Sequence, residues 1–346
     1  MNQVYWLCPT SPTPRDGIYL LRMIVVPAGL LANICTLVLL CLLTGRTRTS
    51  LTMLRALMLS DIASLIIALA NPQDVGSILP SANEIFASTI CAIWPSGFLA
   101  AVFHLFESLV LVYTVSNRAI QIAFKYQYSF SSAAYMDLVS AGFILLACFL
   151  LALPQCFTVA WRQGHCQCLD RDLPYELLTV LYAASFVKYG VDMFVNATAL
   201  SISSVIILLW VRNTPPDKLV DTLNSLAFSG TSESLRKEFE QPQGWWTTSM
   251  CMVVLSVNFL LSTAYSSVQR FVSAAGVFLL DINSYWTRVG DLLLLLHMTT
   301  APFIIMIYIP ALRHLMKSFY WNVAAACRFT KRNFPSPVTD HTETAQ

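Results

Sequence analysis

Three ionisable side chains sit deep inside apolar stretches of this chain. Asp61 lies ten residues into the run 51–70, Glu107 stands eleven residues before Arg118, and His297 stands five before Pro302. At 1.5 Å per residue each falls roughly 15 Å from a helix end or near the middle of its run. Two carboxyls cannot both stay ionised at low dielectric without a counter-ion. They are expected to share a proton, bind sodium, or pair with a protonated His297; a neutral, fully hydrogen-bonded polar core is the plainer reading. Asn33 belongs with them: its amide sits mid-way along 19–43, where no water can satisfy it, and is expected to bond a neighbouring helix.

A second chemistry stands at a boundary. Between 98 and 115 only His104 and Glu107 can carry charge near neutral pH, and Arg118 follows where the apolar run stops. A guanidinium at such an edge can be held among neighbouring helices in a closed state and meet the carbonyls of an inserted helix in an open one. An arginine that merely snorkels to the interface is the plainer alternative. Cys91 lies 27 residues earlier, roughly 40 Å along a helix, so thiol and guanidinium belong to opposite sides of a membrane. Cys8, Cys91, Cys166 and Cys168 fall in segments on one side, and four such cysteines can form two bridges in an oxidising compartment. Cys35, Cys41, Cys148, Cys156 and Cys251 lie within or beside apolar runs, where a cysteine usually acts as a small buried hydrophobe.

The elements that position these groups are membrane spans. With 56% hydrophobic and 12% charged side chains, and a mean hydropathy of +0.61, the chain has about half the charge of an average soluble protein. A net charge of +2 gives no reason to expect nucleic acid. The sequence shows no phosphate loop, HExxH or nucleophile motif, so no enzyme and no cofactor is expected. Seven apolar runs, near 19–43, 51–70, 91–124, 136–159, 177–211, 248–271 and 289–309, predict an all-α membrane protein, a seven-helix bundle over 19–309. The fifth run exceeds a bilayer's thickness and must tilt or project. Residues 1–18 lack the pattern of a removable signal peptide, and the first span is expected to direct insertion itself. Residues 213–246 form the longest polar stretch and read as a loop that can extend the flanking helices. Residues 310–329 place Leu312, Leu315, Met316 and Phe319 on one face and Arg313, His314 and Lys317 on others, a helix lying flat on the lipid surface. Cys327 near its end is a candidate for palmitoylation, and 330–346 form a tail. Fourteen of the 21 lysines and arginines collect on one side, which puts the N-terminus outside and the tail in the cytoplasm.

Asn33, the run Leu57-Met58-Leu59-Ser60-Asp61, Cys91 opening the third span, Arg118 closing it, and Pro302 ten residues before Leu312-Arg313 together resemble a rhodopsin-like G-protein-coupled receptor. The stretch from Leu42 to Ile66 is most similar to invertebrate neuropeptide receptors of the FMRFamide-receptor kind. The resemblance implies a plasma-membrane receptor, with a heterotrimeric G protein as partner and Asn117, Arg118 and Pro302 in its switch. It implies a sodium pocket at Asp61, and a bridge from Cys91 to the second outer loop, where Cys166 and Cys168 both qualify; Cys8 would take a second bridge. The chain departs from the family in reading Asn117-Arg118-Ala119 for Asp-Arg-Tyr and Ala301-Pro302 for Asn-Pro, and its sixth span lacks Cys-Trp-x-Pro. Asn117 cannot restrain Arg118 by charge, so raised basal activity is expected.

Acids gather at the expected outer mouth, among them Glu176 and Asp291, with Trp286 supplying aromatic surface. Such a mouth suits a basic, aromatic peptide. An amine is disfavoured because Ala100 stands about where the family's aspartate would be, and an opsin is excluded because no lysine lies in the seventh span. Two alternatives stand beside the peptide receptor. One is an environmental chemoreceptor of the same architecture. The other is a seven-span transporter or channel with Asp61, Glu107, Lys188, Asp192 and His297 as a polar path.

Overall fold

The computed structural model describes residues 14–44, 49–70, 84–124, 134–162, 165–168, 175–215, 219, 221–278, 280–281 and 283–332. Among these are seven helical segments long and apolar enough to cross a membrane: Gly17–Leu42, Leu51–Leu69, Glu84–Ala123, Tyr135–Thr158, Glu176–Asn213, Thr248–Ala274 and Tyr285–Tyr308. They are numbered here as the first to seventh spans. The chain is thus an all-α bundle of the multi-pass membrane kind. Among the described residues four strands of two to four residues accompany it: β1 (Leu43–Thr44), β2 (Val159–Arg162), β3 (His165–Cys168) and β4 (Ala227–Phe228).

The spans close into a ring. The first packs on the second and seventh, the sixth on the fifth and seventh, and the third touches the second, fourth, fifth and sixth. The third is therefore the axis of the bundle, and its burial agrees: 61% of its apolar window is buried, against 22% for the fourth. A continuous apolar core joins Leu40, Met58, Leu111, Leu200, Leu255 and Ile305 across six spans.

Local backbone chemistry breaks several spans. The third was expected to run unbroken from Cys91; instead a helix Glu84–Ile93 ends at Trp94, and a second starts at Phe98. Pro95 disfavours the helical conformation of Trp94, and Gly97, at φ 72°, takes the left-handed turn that a side chain resists. The fourth span tightens into a 3-10 turn over Leu153–Thr158, where Pro154 removes a donor. The fifth contains a wide i→i+5 turn over Val191–Asn196, which turns Asp192 and Asn196 towards the third span. The sixth continues to Ala274 and stops at Gly276, φ 80°. The seventh starts at Tyr285, capped by Ser284, whose Oγ accepts the N–H of Thr287 at 3.2 Å.

Residues 213–246 do not extend the flanking helices. The fifth span ends at Asn213, and the chain turns under the bundle through a 3-10 turn Thr222–Ser225, β4, and a short helix Glu233–Glu240. β4 pairs antiparallel with β1 at the end of the first span. After the seventh span a helix runs Pro310–Arg332. Leu312 is buried against the core, whereas Phe319, Tyr320 and Trp321 are exposed. Arg313 ties this helix to the 213–246 segment, donating to Gln243 Oε1 at 2.8 Å; burial pulls its pKa below the usual arginine value.

Candidate functional site

The ionisable residues read from the sequence settle at three levels along the bundle. At the end farthest from the disulfide, Arg118 is 1% exposed. Its Nη2 donates to Asp221 Oδ1 at 2.7 Å, its Nε to Ser249 Oγ at 2.6 Å, and its Nη1 to Gln121 Oε1 at 3.1 Å. The guanidinium carbon lies 6.0 Å from the Trp210 ring centroid. Asp221 is itself fully enclosed and caps the 3-10 turn, accepting the N–H of Leu223 at 3.0 Å. Its second oxygen accepts the N–H of Ser249 at 2.7 Å, in the first turn of the sixth span. The carboxylate thus meets a guanidinium and two backbone donors, one at a helix N-terminus, where the dipole favours negative charge. Asn224 adds a second tie, accepting from both the N–H and the hydroxyl of Thr248 at 3.0 and 2.9 Å.

The structure therefore corrects the expectation drawn from Asn117. That residue is buried beside Arg118 and supplies no charge, but Asp221 does, from the polar stretch 213–246 read as a loop. The premise of an arginine without a charged partner does not hold.

At mid-bundle, Asp61 and Glu107 are both fully buried and neighbour one another. None of their four oxygens has an aligned hydrogen-bond donor. His297 Nε2 comes within 3.1 Å of Glu107 Oε1, close but off the direction of a hydrogen bond. On the other side of the ring, Asn258 Nδ2 lies 2.9 Å from Nδ1 and 2.8 Å from Thr300 Oγ1. Thr300 spends its own proton on the carbonyls of Leu296 or His297, so the amide end facing it donates, and Nδ1 accepts. This leaves the imidazole proton on Nε2, facing Glu107. A second proton on the ring could be met by flipping the Asn258 amide and rotating the Thr300 hydroxyl, so the network accommodates both states.

Two buried carboxyls with no aligned donor on any oxygen can share a proton or offer their oxygens to a cation, two of the uses expected from the sequence. Among the described residues no three His, Cys, Asp or Glu side chains are grouped to hold a metal.

Asp192, on the wide turn of the fifth span, extends this polar chain. It accepts from Ser108 at 3.0 Å and from Ser267 at 2.6 Å, and Asn196 donates to Ser108 at 2.7 Å. His104 stands between Glu107 and Asp192, 3.9 and 4.0 Å away, too far for hydrogen bonds. Asn33, in the first span, donates to the carbonyls of Gly29 and Met298 at 2.8 and 2.9 Å. The second contact has a backbone cause. Pro302 has no N–H to offer the carbonyl four residues before it, and Asn33 fills that place.

At the third level, Cys91 is bonded to Cys166, which chooses between the two cysteines left open by the sequence. Cys166 lies on β3 of the β2–β3 hairpin, opposite Trp161, so the bridge ties that hairpin to the far end of the third span. Cys8 and the side chains of Cys168 and Cys327 lie outside the described residues. Of the residues expected to meet a ligand, Glu176 and Trp286 are exposed, and Asp291 is already paired with Arg270 at 2.6 Å. Glu176 and Asp291 belong to the fifth and seventh spans, both packed on the sixth. Asp16 caps the first span, accepting from Tyr19 N–H at 3.1 Å, and pairs with Arg288 of the seventh. The Arg288 hydrogen bond holds its carboxyl below the usual aspartate range.

No family model matches the chain, and no curated protein matches it significantly. Asp221 and Asn258 were missed by sequence reasoning. For Asp221 a signal existed: Leu219, Leu223 and Leu226, all buried, recur through a stretch otherwise polar enough to be solvated. Asn258 carried none, because one amide in a polar-sprinkled sixth span is indistinguishable from packing.

Proposed function

We propose that the chain is a divergent rhodopsin-like G-protein-coupled receptor, carrying a signal from an extracellular ligand, a peptide by preference, to a cytoplasmic G protein. The observation that carries this reading is Arg118. A guanidinium buried at one end of the axial span, held by side chains from the 213–246 segment and the sixth span, is a group built to change partners. The disulfide at the opposite end, joining the same span to a surface hairpin, suits a ligand-facing mouth. In this reading the N-terminus is extracellular and the Arg118 end faces the cytoplasm of a plasma-membrane protein. The helix Pro310–Arg332 then lies on the inner lipid surface, with Cys327 as a palmitoylation site; hydroxylamine-sensitive labelling lost in Cys327→Ala would support that assignment.

The test is G-protein activation in cells displaying the chain, challenged with pooled neuropeptides, amines and lipids, beside Arg118→Ala. A response abolished by Arg118→Ala is expected. Silence to every pool, with surface display confirmed, would shift the reading to a chemoreceptor. The polar chain from Asp192 through His104 and Glu107 to His297 favours a second reading, transport; ion flux in proteoliposomes would establish it in place of signalling.

A further inference from the structure

The Arg118 end of the bundle holds a carboxylate site, and the chain fills it with its own residue. Asp221 is fully buried and meets Arg118 Nη2 at 2.7 Å, the Ser249 N–H at 2.7 Å and the Leu223 N–H at 3.0 Å. Two of these donors, the guanidinium and Ser249 N–H, belong to the third and sixth spans and stay if the segment leaves. Around the carboxylate, Leu219, Leu226 and Ala227 are buried against the same core as the spans, and Leu223 is buried as well. The segment is thus seated inside the end of the bundle.

Its backbone attachment is slight. β4 meets β1 in two residue pairs, Leu43 with Phe228 and Thr44 with Ala227, and an isolated pair of such strands is marginal in water. The segment is also held by its apolar packing, the Thr44 hydroxyl on the Ala227 carbonyl at 3.2 Å, the Asn224–Thr248 contact, the Arg313–Gln243 bond farther along and the Asp221 carboxylate. Of these the carboxylate is the strongest single tie, because it is the one contact among them between opposite charges, made to a guanidinium that is itself buried. Taking the Asp221 carboxylate away should therefore loosen the seat.

We propose that Arg118 and the start of the sixth span form a carboxylate-receiving site that Asp221 fills in cis, and that the seated residues Leu219 and 221–228 keep a cytoplasmic partner out of the bundle. The partner half of this inference rests on the receptor reading given above; the seat does not. Asp221 then does for Arg118 what Asn117 cannot, from a segment that can withdraw where a helix residue could not. Activation would require that withdrawal, which exposes Arg118 to an incoming acceptor.

The pairing of Thr44 with Ala227 supplies a reversible lock, since directly opposed residues of antiparallel strands place their Cβ atoms about 4.5–5.5 Å apart. In purified protein carrying Thr44→Cys and Ala227→Cys, with Cys41 replaced by Ser, oxidation should close the 44–227 bridge in high yield. Adding Asp221→Asn should cut that yield several-fold. Failure to cross-link would overturn the seat, and equal yields with and without Asp221→Asn would overturn the role of the carboxylate. The same preparations are then assayed for G-protein activation. Reduced Asp221→Asn protein should exceed its parent several-fold, and the bridged parent should be silent until reductant is added. A bridged form as active as the reduced one would overturn the inhibition. Yields that respond to Asp221→Asn while no form activates any G protein would instead sink the receptor reading and leave the seated carboxylate standing.

Discussion

Two acidic sites share the third span as a wall and differ in nearly every respect that matters to a buried charge. At the Arg118 end one carboxylate meets a guanidinium and two backbone N–H groups. At mid-bundle two carboxyls face each other with one imidazole at 3.1 Å and no aligned donor on any oxygen. The first site is a satisfied ion pair, whose carboxylate ties the 213–246 segment to the third and sixth spans. The second is short of donors and is relieved by a proton. Removing one acid should therefore have opposite consequences at the two sites.

The largest effect is expected from Asp221→Ala. It takes the Asp221 charge away from the buried Arg118 guanidinium and should lower unfolding free energy by about 3 kcal/mol, the low end for a broken buried pair because the segment can withdraw and admit water. Thermal unfolding in detergent measures it; an unchanged midpoint would erase the distinction between the sites. Next comes Gly29→Ala. A Cβ there would overlap the Thr299 side chain, forcing apart the first and seventh spans where Asn33 bridges them, at about 1–3 kcal/mol. A loss of that size would show that close packing, not charge, orders the spans around the mid-bundle acids.

Asp61→Asn sharpens the contrast most. Its amide can donate to Glu107, so stability should hold or rise by about 1 kcal/mol, although a buried, polar residue has been altered. A loss comparable to that of Asp221→Ala would mean that the Asp61 charge is satisfied after all. The smallest effect belongs to Asp16. Its carboxyl is held below the ordinary range by the Arg288 hydrogen bond, so the contribution is complete above the unfolded-state pKa, about 3.9, and fades as pH falls through the lowered value. Asp16→Asn should remove that part of the acid dependence in melts taken from neutral pH to below about pH 4 and change little at neutrality.

Much of this was legible in the chain. The seven spans and the depth of Asp61, Glu107 and His297 follow from apolar length and helical rise, because both are properties of a segment alone. The breaks at Pro95–Gly97 and Gly276 were also written in residue type, although the apolar run concealed them. What could not be read was pairing between segments far apart in sequence. Asp221 finds Arg118 across 103 residues, and Asn258 finds His297 across 39; neither partner leaves a trace in the other's neighbourhood. Between Cys166 and Cys168 the choice depended on hairpin register, which two cysteines one residue apart do not specify.

The account stands most directly on basal nucleotide exchange by G proteins in membranes carrying the unaltered chain, Asp221→Asn, and Asp221→Asn combined with Arg118→Ala. Exchange should be low in the first, several-fold higher in the second and absent in the third. Equal exchange in the first two, or activity that survives the loss of Arg118, would contradict it.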